Sequence, residues 1–165
     1  MALKADRYEL QTDISFFYDA GTATRGGIVC HASTVGSGAA MDQGVNLVEY
    51  PTVSITSTPV GILLNDVVNK DLTRTHLNQH KDEVQKGGKV TVLRKGYVVT
   101  NNITGTPTVG QVAYIATGAS NGNISAKSHA DWTVAVLSGS GHQAVGRFLS
   151  TKDEDGYAKV EINLA

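Results

Sequence analysis

The sequence predicts an all-β protein: a small β-sandwich or barrel of short antiparallel strands, with an extended N-terminal arm and at most one short helix. Three observations lead there. The chain ends in Tyr157-Ala158-Lys159-Val160-Glu161-Ile162-Asn163-Leu164, where apolar and polar residues alternate with the period of two that lets a strand bury one face and wet the other. Upstream, short apolar runs recur with turn signals at roughly eight- to twelve-residue spacing, the pattern of a sandwich or barrel. Charged residues make up only 18% of the chain, below the roughly 25% usual in a soluble domain. Val, Thr, Gly and Ser fill their place, giving a polar but uncharged surface suited to packing against other protein.

Taken in order, Tyr8-Glu9-Leu10-Gln11-Thr12-Asp13-Ile14-Ser15-Phe16 reads as a strand with Tyr8, Leu10, Ile14 and Phe16 on one side, and Phe17 and Tyr18 extend its aromatic character to both faces. A terminal strand this apolar is expected to be tied down, on its own sheet or on a neighbouring subunit. Residues 21–44 are rich in Gly, Ala, Ser and Thr around Ile28-Val29-Cys30, which predicts a short strand followed by a loop. Residues 45–50 and 52–56 are strand-like, and Pro51 prevents one continuous central strand. Val60-Gly61-Ile62-Leu63-Leu64 is a further strand, with a turn expected at Asn65-Asp66. The polar stretch 67–87 is the one place for a helix; Asp71 can cap it, but Leu72, Leu77 and Val84 make no continuous stripe, so a short helix or an ordered loop is expected there. Residues 89–94 and 97–100 read as two strand runs pivoting at Lys95-Gly96. Residues 101–110 read as a turn-rich loop, 109–115 as a strand, 118–122 as a turn, 123–126 as a short return strand and 132–137 as another strand.

The C-terminal hairpin closes the pattern. Val145-Gly146-Arg147-Phe148-Leu149 supplies its first strand, Gly156 the positive φ of its turn, and Gly146 breaks the alternation where a bulge is expected. The expected organisation is an N-terminal arm and strand over residues 1–30, then a β-rich body over 31–165.

At 165 residues the chain fits one domain able to bury roughly 70% of its unfolded surface. A single cysteine, Cys30, excludes an internal disulfide and a cysteine-rich zinc site. The net charge of −1 gives no electrostatic case for nucleic acid or an anionic membrane as partner. No apolar run has the length of a membrane helix, and the first residues lack the apolar core of a signal peptide. The protein is therefore expected to be made and kept in a cytoplasm, or to leave it by a route other than secretion.

No catalytic group, metal site or cofactor emerges. His76 and His80 have the spacing of a zinc-protease helix, but Leu77-Asn78-Gln79 between them lacks the glutamate base and a third ligand is missing. Asp153-Glu154-Asp155-Gly156 lacks the alternating acids and terminal glutamate of a calcium loop and matches turn chemistry. Cys30 and His31 are adjacent, so a strand points them to opposite faces. Neither Gly36-Ser37-Gly38 nor Ser138-Gly139-Ser140-Gly141 has the spacing of a phosphate loop or nucleophile elbow. Trp132 is a core residue or an interface anchor.

The runs from Gly87-Gly88-Lys89-Val90 to Thr100-Asn101, Gly110-Gln111-Val112-Ala113-Tyr114-Ile115 and Val145-Gly146-Arg147-Phe148-Leu149, closed by an Asp-Gly hairpin, resemble the head decoration, or capsid cement, proteins of tailed bacteriophages. The similarity covers the last 80 or so residues, and the motifs are structural. The resemblance implies a β-rich virion protein on the outside of an expanded capsid, a homotrimer whose partner is the major capsid protein, met by host cytoplasm only during assembly. Tyr8, Leu10, Ile14, Phe16, Phe17, Tyr18 and Trp132 are then the candidate subunit or capsid interface. Two other classes fit the composition: another virion module (tail tube, connector or fibre base), or an enzymatic or metal-binding domain using His76, His80 and Asp82.

Overall fold

The computed structural model describes residues 3–19, 22–32, 46–51, 58–67, 83–85, 87–116, 120–126 and 143–164. Their strands in chain order are β1 (Leu3–Asp13), β2 (Phe17–Tyr18), β3 (Thr22–Thr24), β4 (Ile28–His31), β5 (Leu47–Glu49), β6 (Pro59–Val67), β7 (Glu83–Gln85), β8 (Lys89–Thr100), β9 (Ile103–Thr104), β10 (Val112–Ile115), β11 (Ile124–Ser125), β12 (Ala144–Phe148) and β13 (Ala158–Asn163). The all-β expectation holds.

The architecture is a small closed barrel joined to a second sheet through one shared strand. The barrel runs β2–β5–β4–β6–β8, and β8 returns to β2 to close it. Closure is made by backbone bonds on both sides of Phe17: Tyr18 N–H donates to Gly88 O at 3.0 Å and Val90 N–H to Phe16 O at 3.0 Å. The second sheet continues from β8 through β13, β12, β10, β11 and β9, with β1 on the other side of β8. Most pairs are antiparallel, but β2–β5 and β9–β11 are parallel, a departure from the purely antiparallel expectation. Strands β3 and β7 form a separate antiparallel ribbon.

Burial explains which sequences form which layer. Phe16, Tyr18, Val29, Val48, Leu63, Val90 and Val92 fill the barrel. Ile28, Cys30, Ile62, Leu64 and Leu93, on the opposite faces of the same strands, join Ile115, Phe148, Val160 and Ile162 in the larger core between barrel and second sheet. Strands β4 and β6 are therefore buried on both faces, which is why they read as unbroken apolar runs rather than as alternation. Each such side chain removed from water contributes about 1.5–3 kcal/mol.

The C-terminal hairpin follows its sequence pattern. Ala158, Val160 and Ile162 are buried while Glu161 and Asn163 are exposed. Gly156 takes φ +82°, and its N–H donates to Asp153 O at 3.0 Å. The bulge expected at Gly146 is present: Ala113 faces Gly146 and Tyr114 faces Ala144, so β12 carries one extra residue against β10.

Four further expectations are corrected. Within residues 101–110, expected as loop, Ile103–Thr104 is strand β9. Residues 89–100 are one strand, not two, and Gly96 lies inside it. The turn at Asn65-Asp66 is instead strand, because β6 stays paired with β8 as far as Val67. Glu83–Gln85, inside the stretch assigned to a helix or loop, is strand β7; residues 68–82 lie outside the described residues, as do 33–45, 52–57 and 127–142.

Candidate functional site

The N-terminal strand is tied to its own sheet. β1 pairs antiparallel with β8, with Tyr8 opposite Tyr97 and Glu9 opposite Gly96. On the other side of β8, Tyr97 faces Glu161 and Val98 faces Val160 of β13. Gly96 has φ +140°, and any Cβ there would run into the Tyr8 carbonyl oxygen. This glycine lets two backbones approach where a side chain would hold them apart.

Side chains fasten the strand from its solvent side. The Tyr8 and Tyr97 rings stack at 5.9 Å. Lys159 Nζ sits 3.8 Å from the Tyr97 ring centroid and 3.5 Å from Asp6 Oδ2. Lys4 Nζ donates to Asp153 Oδ2 at 2.7 Å and lies 4.3 Å from the Tyr157 ring. The Lys4 hydrogen bond, helped by the Tyr157 N–H, lowers the Asp153 carboxyl below its ordinary value, and the same bond raises Lys4. At the far end burial works to raise Asp13, but hydrogen bonds from Ser15 N–H and Oγ–H and the charge of Arg94 outweigh it, so its carboxyl is lowered. Exposed pairs of this kind are screened by water and each contributes little.

The sequence-nominated interface residues separate into two groups. Tyr8 (54% exposed), Leu10 (60%) and Ile14 (58%) stand at the surface. Phe16 and Tyr18 point into the barrel: Phe16 meets the His31 ring edge-on at 5.7 Å, and Tyr18 meets Tyr50 edge-on at 6.1 Å. Burial pushes the Tyr18 hydroxyl up to about 12. Phe17 is half-buried, with Lys89 Nζ 5.7 Å from its ring centroid. Trp132 lies outside the described residues. Of the nominated residues the structure therefore leaves Tyr8 and Leu10 exposed on the edge strand β1 and Ile14 exposed just beyond its end.

Two features beyond the nominated set are present. Val109 and Leu149 are exposed apolar residues on segments joined by Gly110 N–H donating to Phe148 O at 2.8 Å. A shallow groove of about 370 Å³ runs over Val112, Ala144, Gly146, Arg147 and Glu161. Gly146 is among its lining residues, and a Cβ there would strike Glu161 O. The break in alternation at Gly146 is the sequence signal that marks this place.

Cys30 is buried and His31 exposed, so the two face apart as a strand requires. Burial, and then the charge of Glu49, pushes the Cys30 thiol up to about 12, which suppresses thiolate reactivity. Among the described residues no three His, Cys, Asp or Glu side chains are grouped to hold a metal; His76, His80 and Asp82 lie outside them. No helix among the described residues is long and apolar enough to cross a membrane.

Comparison with known proteins adds the deciding observation: the family model of the XM1 gp53 minor capsid protein matches residues 49–164. This chain belongs to that family. The matched segment runs from the end of β5 through the whole C-terminal hairpin, and a phage capsid-associated structural protein is what its membership makes it. A chain of the capsid of Myoviridae phage XM1 shares the fold, with a TM-score of 0.55 and 12% identity over 93% of this chain and 82% of that one. No curated protein matches.

Proposed function

We propose that this minor capsid family member binds the outer surface of an expanded phage head and stabilises it by clamping neighbouring major capsid subunits. It does so as a homotrimer, with no enzymatic activity, cofactor or nucleic-acid partner of its own. The observation that carries the reading is the exposure of Tyr8 and Leu10 on an edge strand, and of Ile14 just beyond it, in a protein of a minor capsid family. Large apolar side chains placed together at a surface mark contact with other protein. In these terms residues 1–30 carry the docking contact, although β2 and β4 within them are built into the barrel, and residues 31–165 form the body that spans between capsid subunits.

The test is co-sedimentation with emptied, expanded heads, together with the mass in solution by light scattering. Because Phe16 and Tyr18 are core residues, the clean truncation removes residues 1–13 and leaves the barrel whole. Wild type is expected to sediment with heads, and both that truncation and the double variant Tyr8→Ser, Leu10→Ser to remain in the supernatant. Undiminished sedimentation of both variants overturns the reading. A trimeric mass is expected; a ring of six or more subunits would instead favour a tail or connector component.

A further inference from the structure

We infer that β1 is a self-pairing edge: two copies of this chain, each from a different trimer, join by antiparallel pairing of their β1 strands about a two-fold axis at Tyr8, which links one trimer to the next and leaves the threefold contacts to other surfaces. This rests on the reading of the N-terminal strip as an interface, and it names a second copy as the partner of the strand's outer edge.

Among the described residues β1 has one strand neighbour, β8, so its opposite edge presents backbone N–H and C=O groups in the arrangement that templates another strand. Within β1, Arg7, Tyr8 and Glu9 pair with β8 without interruption, while the register slips on either side, between Leu3 and Arg7 and between Glu9 and Gln11. The regular part of the edge is thus short and centred on Tyr8.

Charge then selects both the partner and the register. A two-fold axis perpendicular to the sheet keeps inward side chains opposite inward ones, so the axis must pass through a residue. Centred on Asp6, Arg7 or Glu9, the pairing would set a like charge directly against itself, which is unfavourable. Centred on Tyr8, it sets Arg7 opposite Glu9 of the second copy and Glu9 opposite Arg7 of the second copy. Arg7 Nε and Glu9 Oε1 already bond at 2.6 Å within the strand, so the pairing converts one ion pair into a closed ring of four alternating charges. Centring on Leu10 falls on the irregularity itself. On the other face the two Tyr8 rings come side by side and extend the Tyr8–Tyr97 stack into a row of four tyrosines. The same charges that discourage unrelated strands from joining this edge admit a second copy in one register.

The test uses the full chain carrying Tyr8→Cys, oxidised in the absence of capsids. Cys30 is wholly buried and does not compete. The disulfide-linked dimer is expected at least several-fold more abundantly than for Val109→Cys, a control at a residue 69% exposed elsewhere on the surface. Adding Glu9→Arg should reduce the dimer to the control level, and adding Arg7→Glu to that variant should restore it, with circular dichroism confirming that each is folded. Equal cross-linking at positions 8 and 109, or no recovery on the double charge exchange, overturns the inference. If the edge is instead taken by a capsid strand, Tyr8→Cys forms no more disulfide-linked pairs in isolation than the control, which also overturns it. Head binding of the Glu9→Arg protein is read separately: its retention with the dimer lost leaves the capsid reading intact.

Discussion

Replacing Gly96 by alanine isolates the attachment of β1 from the stability of the rest. The new Cβ points at the Tyr8 carbonyl oxygen, a backbone atom that cannot rotate away, and the residue must also hold φ +140°. Backbone strain of this kind costs about 1–3 kcal/mol, and overpacking a comparable amount. Taking about 2–6 kcal/mol in total, the balance between docked and released β1 moves roughly 30- to 20,000-fold towards release. Release is the cheaper escape because β1 stands outside the barrel ring and Leu3 is the one buried side chain it contributes. The body keeps its β6–β8 and β8–β13 pairing. Limited trypsin digestion read by mass spectrometry is the assay: cleavage after Arg7 should accelerate at least about 30-fold by that estimate, with a smaller change in the urea midpoint of the body. Unchanged cleavage at Arg7 would refute the close-approach argument. Loss of the body and the strand in one step would refute the claim that β1 detaches alone.

Two further outcomes follow from contacts elsewhere. Tyr50 Oη receives the Thr24 N–H at 2.8 Å and donates to Thr24 O at 3.0 Å, so Tyr50→Phe should lower stability by about 1 kcal/mol, seen as a lower urea midpoint with the slope unchanged; an unchanged midpoint would show the bonds to be replaced by water at no cost. Asp153 is lowered from 3.8 by Lys4 and Lys4 raised from 10.5 by Asp153. The carboxyl's contribution is therefore present above its unfolded value and lost as pH falls through its folded one, and the amine's is present below its unfolded value and lost as pH rises through its folded one. The difference in urea midpoint between wild type and Lys4→Gln should persist through the neutral range and close at both extremes; a difference independent of pH would mean the pair does not hold β1.

The parts of the fold that could be read directly are those where water marks one face. In β13 the alternation of Ala158, Val160 and Ile162 with Lys159, Glu161 and Asn163 gave strand, face and turn together, because one side is solvated. Strands β4 and β6 were visible as apolar runs, but the two cores that they separate were not, since a run buried on both sides carries no face information. The site was half legible. A strict period of two puts Phe16 with Tyr8, Leu10 and Ile14, yet register slips within β1 and the Ser15–Asp13 turn break that phase, and Phe16 enters the barrel while the other three stay out. Gly96 looked like a turn because turn and close approach select the same residue.

The sharing of β8 has a consequence for how this family can change length. Twelve residues, about 40 Å of extended chain, serve two sheets, with β6 alongside its first half and β13 alongside its second. An insertion or deletion of one residue near Arg94 would leave one half in phase and invert every side chain of the other, exchanging Val98 for Tyr97 at the core. Length variation is thereby channelled into the connections around the strand. Related chains should keep the spacing from Lys89 to Thr100 fixed to the residue.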